Sequence, residues 1–155
     1  MTADDERELV EHAREIIDAN SYMVLATADG DGRPWASPVW FAHDGYRDFY
    51  WISRPGARHS GNLAGRADLG VVVFDSTVPP LQGQAVYVEA TAAEVMEDEL
   101  EHGMETFSAR SQAQGMEPLR TEDVVGSGSF RLYRARASAH FVLSSRDQRI
   151  PVDPT

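Results

Sequence analysis

Tyr22-Met23-Val24-Leu25-Ala26-Thr27-Ala28-Asp29-Gly30-Asp31-Gly32-Arg33-Pro34-Trp35-Ala36-Ser37-Pro38-Val39-Trp40-Phe41 is the stretch on which the fold turns. Residues 22–28 form a short apolar run without helical spacing. Asp29-Gly30-Asp31-Gly32 then supplies residues that tolerate the positive φ of a tight hairpin turn. Pro34–Phe41 reads as a second strand, closed by His43-Asp44-Gly45, and Arg47–Ser53 as a third, with Phe49, Tyr50, Trp51 and Ile52. Three strands joined by two tight turns predict an antiparallel meander.

Upstream, Leu9, Ala13, Ile16 and Ile17 recur at helical spacing on an acidic background, which predicts a surface helix over 3–19 with Thr2 or Asp4 as N-cap. Downstream, residues 53–62 form a loop running into a short helix that ends near Gly65. Leu69–Asp75 and Gln84–Ala93 read as strands. Residues 94–113 place Met96, Leu100, Met104 and Phe107 on one helical face, and Phe130–Ala135 with Ala139–Leu143 reads as a closing hairpin. The expectation is one mainly β domain over 1–155 with peripheral helices. Its core reads as seven short antiparallel strands over about 22–143, which suggest a closed or nearly closed barrel, since closure removes exposed strand edges.

Composition narrows the chemistry. The 155 residues are 42% apolar, enough to bury a sizeable core without staples. There is no cysteine, which excludes disulfides, zinc ribbons and thiolate nucleophiles. All 14 basic residues are arginine, so no lysine is present for a Schiff base or a P-loop. The net charge of −11 opposes binding to a nucleic-acid backbone. That charge concentrates in 1–20, with seven acids against two arginines, and in 94–105, with six acids and no arginine. No apolar run is long enough to cross a membrane. The acidic N-terminus has the wrong charge for a signal peptide, so the expected setting is cytoplasmic.

The densest candidate site is the loop 53–62. Anionic phosphate is held by fixed cationic donors, hydroxyls and backbone N–H groups at a helix N-terminus. Ser53, Arg58, His59 and Ser60 supply those types where a strand hands over to a helix, although a solvated strand–helix connection has the same composition. Two prolines in Pro34–Phe41 argue for an edge strand with free backbone groups, which suits a flat heterocycle. Trp35, Trp40 and Trp51 offer apolar walls or ordinary packing. Metal chemistry finds little support: Glu99-x-x-His102 is a single pair where a di-metal carboxylate site needs two. Gly126-Ser127-Gly128-Ser129 lacks the context of a hydrolase elbow. No catalytic acid or base is identified.

The order of these elements resembles the pyridoxamine 5′-phosphate oxidase-like family over roughly residues 8–143. The resemblance rests on Leu25–Gly30, Arg33–Phe41, Phe49–Ser53, Gly56-Ala57-Arg58-His59-Ser60-Gly61-Asn62-Leu63 and Gln84–Ala93. It implies a six- to seven-stranded antiparallel split barrel that forms a homodimer, binds flavin mononucleotide (FMN) at the subunit interface and transfers hydride to or from a small organic molecule. By position, Trp35, Ala36, Ser37, Pro38 and Val39 would run beside the isoalloxazine. Ser53, Arg58 and His59 would hold the phosphate, and Gln84 would reach the polar edge of the ring. His59 stands where the family commonly has lysine. True pyridoxamine-phosphate oxidases carry a C-terminal tryptophan and an Arg-x-His signature. No tryptophan follows Trp51 here and no Arg-x-His occurs, so that reaction is not expected. Two alternatives stay open: an 8-hydroxy-5-deazaflavin coenzyme in the same groove, or a non-catalytic barrel binding flavin or haem, with His59 or His140 as iron ligand.

Overall fold

The computed structural model describes residues 1–155. The chain runs α1 (Ala3–Ala19), β1 (Tyr22–Ala28), β2 (Pro34–Trp40), β3 (Ala42–Asp44), β4 (Asp48–Ser53), α2 (Arg58–Gly65), β5 (Asp68–Phe74), β6 (Ala85–Glu94), α3 (Glu97–Ala113), β7 (Arg131–Leu143) and β8 (Arg149–Val152). A 3-10 turn at Thr121–Val124 precedes β7. The strand order is β2-β1-β5-β6-β7-β4-β3, with β8 also on β7, and every pairing is antiparallel.

β2 and β3 stand at opposite ends of that order, yet only Phe41 separates them in the chain. The sheet therefore closes on itself through one bent strand, giving the expected split barrel. Phe41 is 1% exposed, and its amide donates to the Ser21 carbonyl at 3.2 Å. The meander expected over 22–53 is thereby corrected. It is two hairpins, β1–β2 and β3–β4, lying across the seam, and β4 takes β7 as its second neighbour.

Alternation fills the barrel. β1 sends Met23 and Leu25 inward, β5 sends Val71 and Val73, and β6 sends Val86 and Val88. Trp51 stacks on Tyr133 with ring centroids 5.6 Å apart. One end of the barrel receives Ala13, Ile16 and Ile17 of α1, whose N-terminus is closed by a Thr2–Asp5 capping box. No helix is long and apolar enough to cross a membrane.

Two further expectations are corrected. The closing hairpin is one thirteen-residue strand, β7, whose pairing with β6 shifts register between Glu89 and Ala90. The small residues Ala137, Ser138 and Ala139 mark that bulge, where Ser138 Oγ donates to the Glu89 carbonyl at 3.0 Å, and no turn forms. β8 is an additional strand; its Pro151 is tolerated because β8 pairs only with β7.

α3 lies over a second cluster containing Tyr50, Leu132, Met104 and Phe107. Met96, expected on its buried face, is instead its N-cap residue and is 68% exposed. Gly103 is where the helix comes closest to the sheet. A Cβ there would stand 2.8 Å from Leu132 Cδ2 and 3.0 Å from Tyr50 Cε1, on two fully buried side chains. Gly103→Ala improves helix propensity, yet overpacking should outweigh that and destabilise the fold by about 1–3 kcal/mol in urea unfolding.

Candidate functional site

Ser53 ends β4 opposite Arg131, the first residue of β7. The chain then turns, with the Ala57 amide donating to the Arg54 carbonyl at 3.0 Å, and enters α2 at Arg58. Ala57 is the N-cap and has no side-chain oxygen to give. No other side chain caps the helix and no acid occupies its first turn. The leading N–H groups of α2 thus lack partners within the helix and carry the positive end of its dipole. That donor set fits an anion. α2 is anchored by Leu63 in the core and by Asn62 Nδ2 donating to Thr27 Oγ1 at 3.0 Å, with both polar side chains buried. Sequence reading missed the Asn62–Thr27 bond; the only signal was an asparagine on the helix's apolar side.

Arg58 is exposed, with its guanidinium 4.3 Å from the centroid of the Trp35 ring. Arg54 sits 5.0 Å over Phe130. The ion pairs of the chain engage Arg7, Arg120, Arg131, Arg134, Arg136 and Arg149, leaving Arg54 and Arg58 without a carboxylate. Stacking on an aromatic face orients a guanidinium while leaving its N–H edges free.

Beneath them, Ser53 Oγ and His59 Nε2 lie 2.7 Å apart in a buried pair. Burial pushes the His59 pKa below its ordinary 6.5, so the ring is neutral near pH 7. When Nε2–H donates to Ser53, the serine keeps its own O–H for an outside acceptor. Ser60 is committed otherwise: its hydroxyl donates to the Arg54 carbonyl at 2.9 Å. Of the four expected phosphate residues, Arg58 offers a free charge, Ser53 and His59 are bonded to each other, and Ser60 braces the loop.

β2 borders this corner. It pairs only with β1, so its other edge is open. Pro34 and Pro38 share parity with Ala36, which places the missing proline donors on the open side and leaves the Ala36 N–H and C=O there. Trp35 is 40% exposed and Ser37 half-buried, whereas Val39 is 8% exposed and belongs to the core. Gln84 does not join this group within one chain. It precedes Ala85, which pairs with Phe74, whereas Ser53 lies beyond the Glu94 end of β6. At about 3.3 Å per residue the ten-residue β6 separates the two ends by roughly 30 Å.

The outer face of the same sheet is unusually apolar. Tyr22, Val24 and Ala26 of β1 stand beside Gly70, Val72 and Phe74 of β5, with Tyr87 of β6 beyond; Tyr22 is 61% and Phe74 45% exposed. β1 and β5 therefore carry apolar residues on both faces. Four histidines already engage Nε2: His43 with Asp18, His59 with Ser53, His102 with Asp44 and His140 with the Tyr46 carbonyl.

Residues 9–143 match the family model of pyridoxamine 5′-phosphate oxidase, and the chain belongs to that family. Its fold is similar to that of a heme-binding protein from Mycobacterium smegmatis, with a TM-score of 0.74 and 20% identity over 94% of this chain and 58% of that one. It is also similar to HutZ, the heme storage protein from Vibrio cholerae (TM-score 0.67, 22% identity, 86% of this chain and 94% of that one). General Stress Protein 26 from Bacillus anthracis is a third likeness (TM-score 0.64, 14% identity, 94% and 99%). These identities establish the fold alone. The chain spans 58% of the length of the mycobacterial protein. No curated protein matches it.

Burial depresses the pKa values of both His59 and His140 below 6.5. The unfolded chain therefore binds more protons just below that value. The stability these neutral rings contribute is complete above pH 6.5 and is lost as pH falls. Urea unfolding at pH 7.5 and pH 5.5 should show the decline, and a His59→Gln/His140→Gln variant should show less of it.

Proposed function

We propose that the chain is a cytoplasmic homodimeric oxidoreductase that binds FMN and acts on a small organic substrate. The observation that carries this reading is the uncapped, acid-free first turn of α2, flanked by Arg58, next to the open edge of β2. Arg58 would hold the phosphate through two parallel N–H bonds, helped by the α2 N–H groups and by Ser53 as relayed from His59. The Ala36 backbone would meet the polar rim of the ring system, and Trp35 would keep Arg58 in place. Bound flavin supplies hydride transfer; the chain supplies binding, orientation and exclusion of water. No cysteine or lysine is needed for that division of labour.

The apolar outer face of β1 and β5 supports the homodimer, since large exposed apolar patches mark association surfaces. Two-fold symmetry would also unite residues that one chain keeps apart. An axis through the middle of that face brings the Gln84 end of one copy to the Trp35 end of the other. Val72→Arg should yield a monomer by light scattering and lose FMN binding with it.

The heme-binding neighbours favour a second reading, a barrel that holds haem without catalysis. An axial ligand needs a free imidazole nitrogen facing a flat apolar slot. His59 and His140 have Nε2 bonded and are nearly buried, which argues against them as ligands. The absorbance spectrum of the protein as isolated separates the readings: flavin bands support the first and a Soret band the second. Arg58→Ala should weaken FMN by about 1.5–3 kcal/mol, the range for a hydrogen bond to a charged group. Riboflavin affinity should change far less. Unchanged FMN affinity would remove the phosphate assignment, and tighter binding of the 8-hydroxy-5-deazaflavin coenzyme in a parallel titration would replace the cofactor.

A further inference from the structure

A groove of about 940 Å³ lies between α3, the end of β6 and the segment 119–126, and none of its lining residues belongs to α2 or β2. Its floor is the outer surface of the second core cluster, where Val95, Met104 and Val124 are buried. Its walls include Met96, 68% exposed, and Val125, 39% exposed. The volume is that of a pocket for a drug-sized molecule, and methionine lets such a wall adapt to irregular shapes.

Acids dominate the rim. Glu97, Glu101 and Glu105 line it at one-turn intervals along α3, and none of them takes part in an ion pair of the chain. Like charges four residues apart oppose a helix by a few tenths of a kcal/mol each. Arg131, the one cation at the groove, is already engaged with the carbonyls of Gly126, Gly128 and Phe130 and with Glu94 at 3.4 Å. The charge of Glu97, Glu101 and Glu105 therefore has no ion-pair partner within the chain. It is not shaped for a metal ion either, because no three acidic or histidine side chains converge on a point. The acids spread over roughly 12 Å of helix, at 1.5 Å per residue.

From the apolar floor and the unbalanced linear rim, we infer that this groove binds an organic cation with a bulky apolar body. The floor removes apolar surface from water, and the three carboxylates attract a delocalised positive charge that none of them has to desolvate alone. This site is independent of the FMN reading.

The test uses two probes of the same shape and opposite charge, tetraphenylphosphonium and tetraphenylborate, titrated into the full chain by calorimetry. The phosphonium ion should bind and the borate should not. A Glu97→Gln/Glu101→Gln/Glu105→Gln variant, whose changes are all exposed, should keep its circular dichroism and bind phosphonium roughly tenfold more weakly, as loss of three partly screened charge contacts implies. Binding should persist in Arg58→Ala and in the presence of FMN. Equal binding of both probes, unchanged affinity in the triple variant, or displacement by FMN would overturn the site. A basic amphipathic helical peptide that displaces phosphonium at lower concentration would overturn the small-molecule occupant in favour of a protein partner.

Discussion

A one-residue interruption at Phe41 holds the architecture together. β2 must pair with β1 and β3 with β4, and because one residue joins them the two edges of the sheet have no freedom to stay apart. Burying Phe41 against the inner side chains fixes the bend, and the backbone bond to Ser21 fixes its direction. Closure in turn gives β1, β5 and β6 a sealed interior, and this leaves their outer faces free to be apolar for another purpose. Closure also leaves β2 with one open edge beside α2, so the seam of the barrel and the border of the candidate site are the same strand.

The site itself is assembled from deficits. A helix begins without a cap, two guanidiniums rest on aromatic rings without carboxylates, and a strand edge lacks a neighbour. Each costs a little in the isolated chain, and an anionic planar ligand held between two copies would satisfy all three. The buried Ser53–His59 pair is the exception, already satisfied within the chain and without a charge near pH 7. The likeness to heme-binding barrels shows how little the fold alone decides about what fills it.

Much of this was legible in the residues. Short apolar runs bounded by turn residues marked β1 and β5, period-two alternation marked β6, and the Asp-Gly turn chemistry marked the first hairpin. The switch from strand to helix at Arg58 followed from the loop and the glycine that ends it. What failed was pairing, which local pattern does not encode. The meander was inferred from adjacency in the chain, whereas the partner of β4 lies about eighty residues away in β7. Residues 136–138 looked like a turn because bulges and turns use similar side chains. β3 and β8 were too short to show a period. Within the site, residue types were readable but their commitments were not: that Ser60 braces Arg54, or that Gln84 stands at the opposite end, depends on register.

The three indoles occupy three distinct surroundings: Trp51 sealed inside the barrel, Trp40 edge-on to Phe107, and Trp35 in solvent beneath a guanidinium. A fluorescence spectrum of the native chain is therefore a composite. Emission from exposed Trp35, beside α2, should fall at longer wavelength than emission from buried Trp51. The protein carries its own optical gauge, able to report events at the edge of β2 separately from the loosening of the sheet behind it.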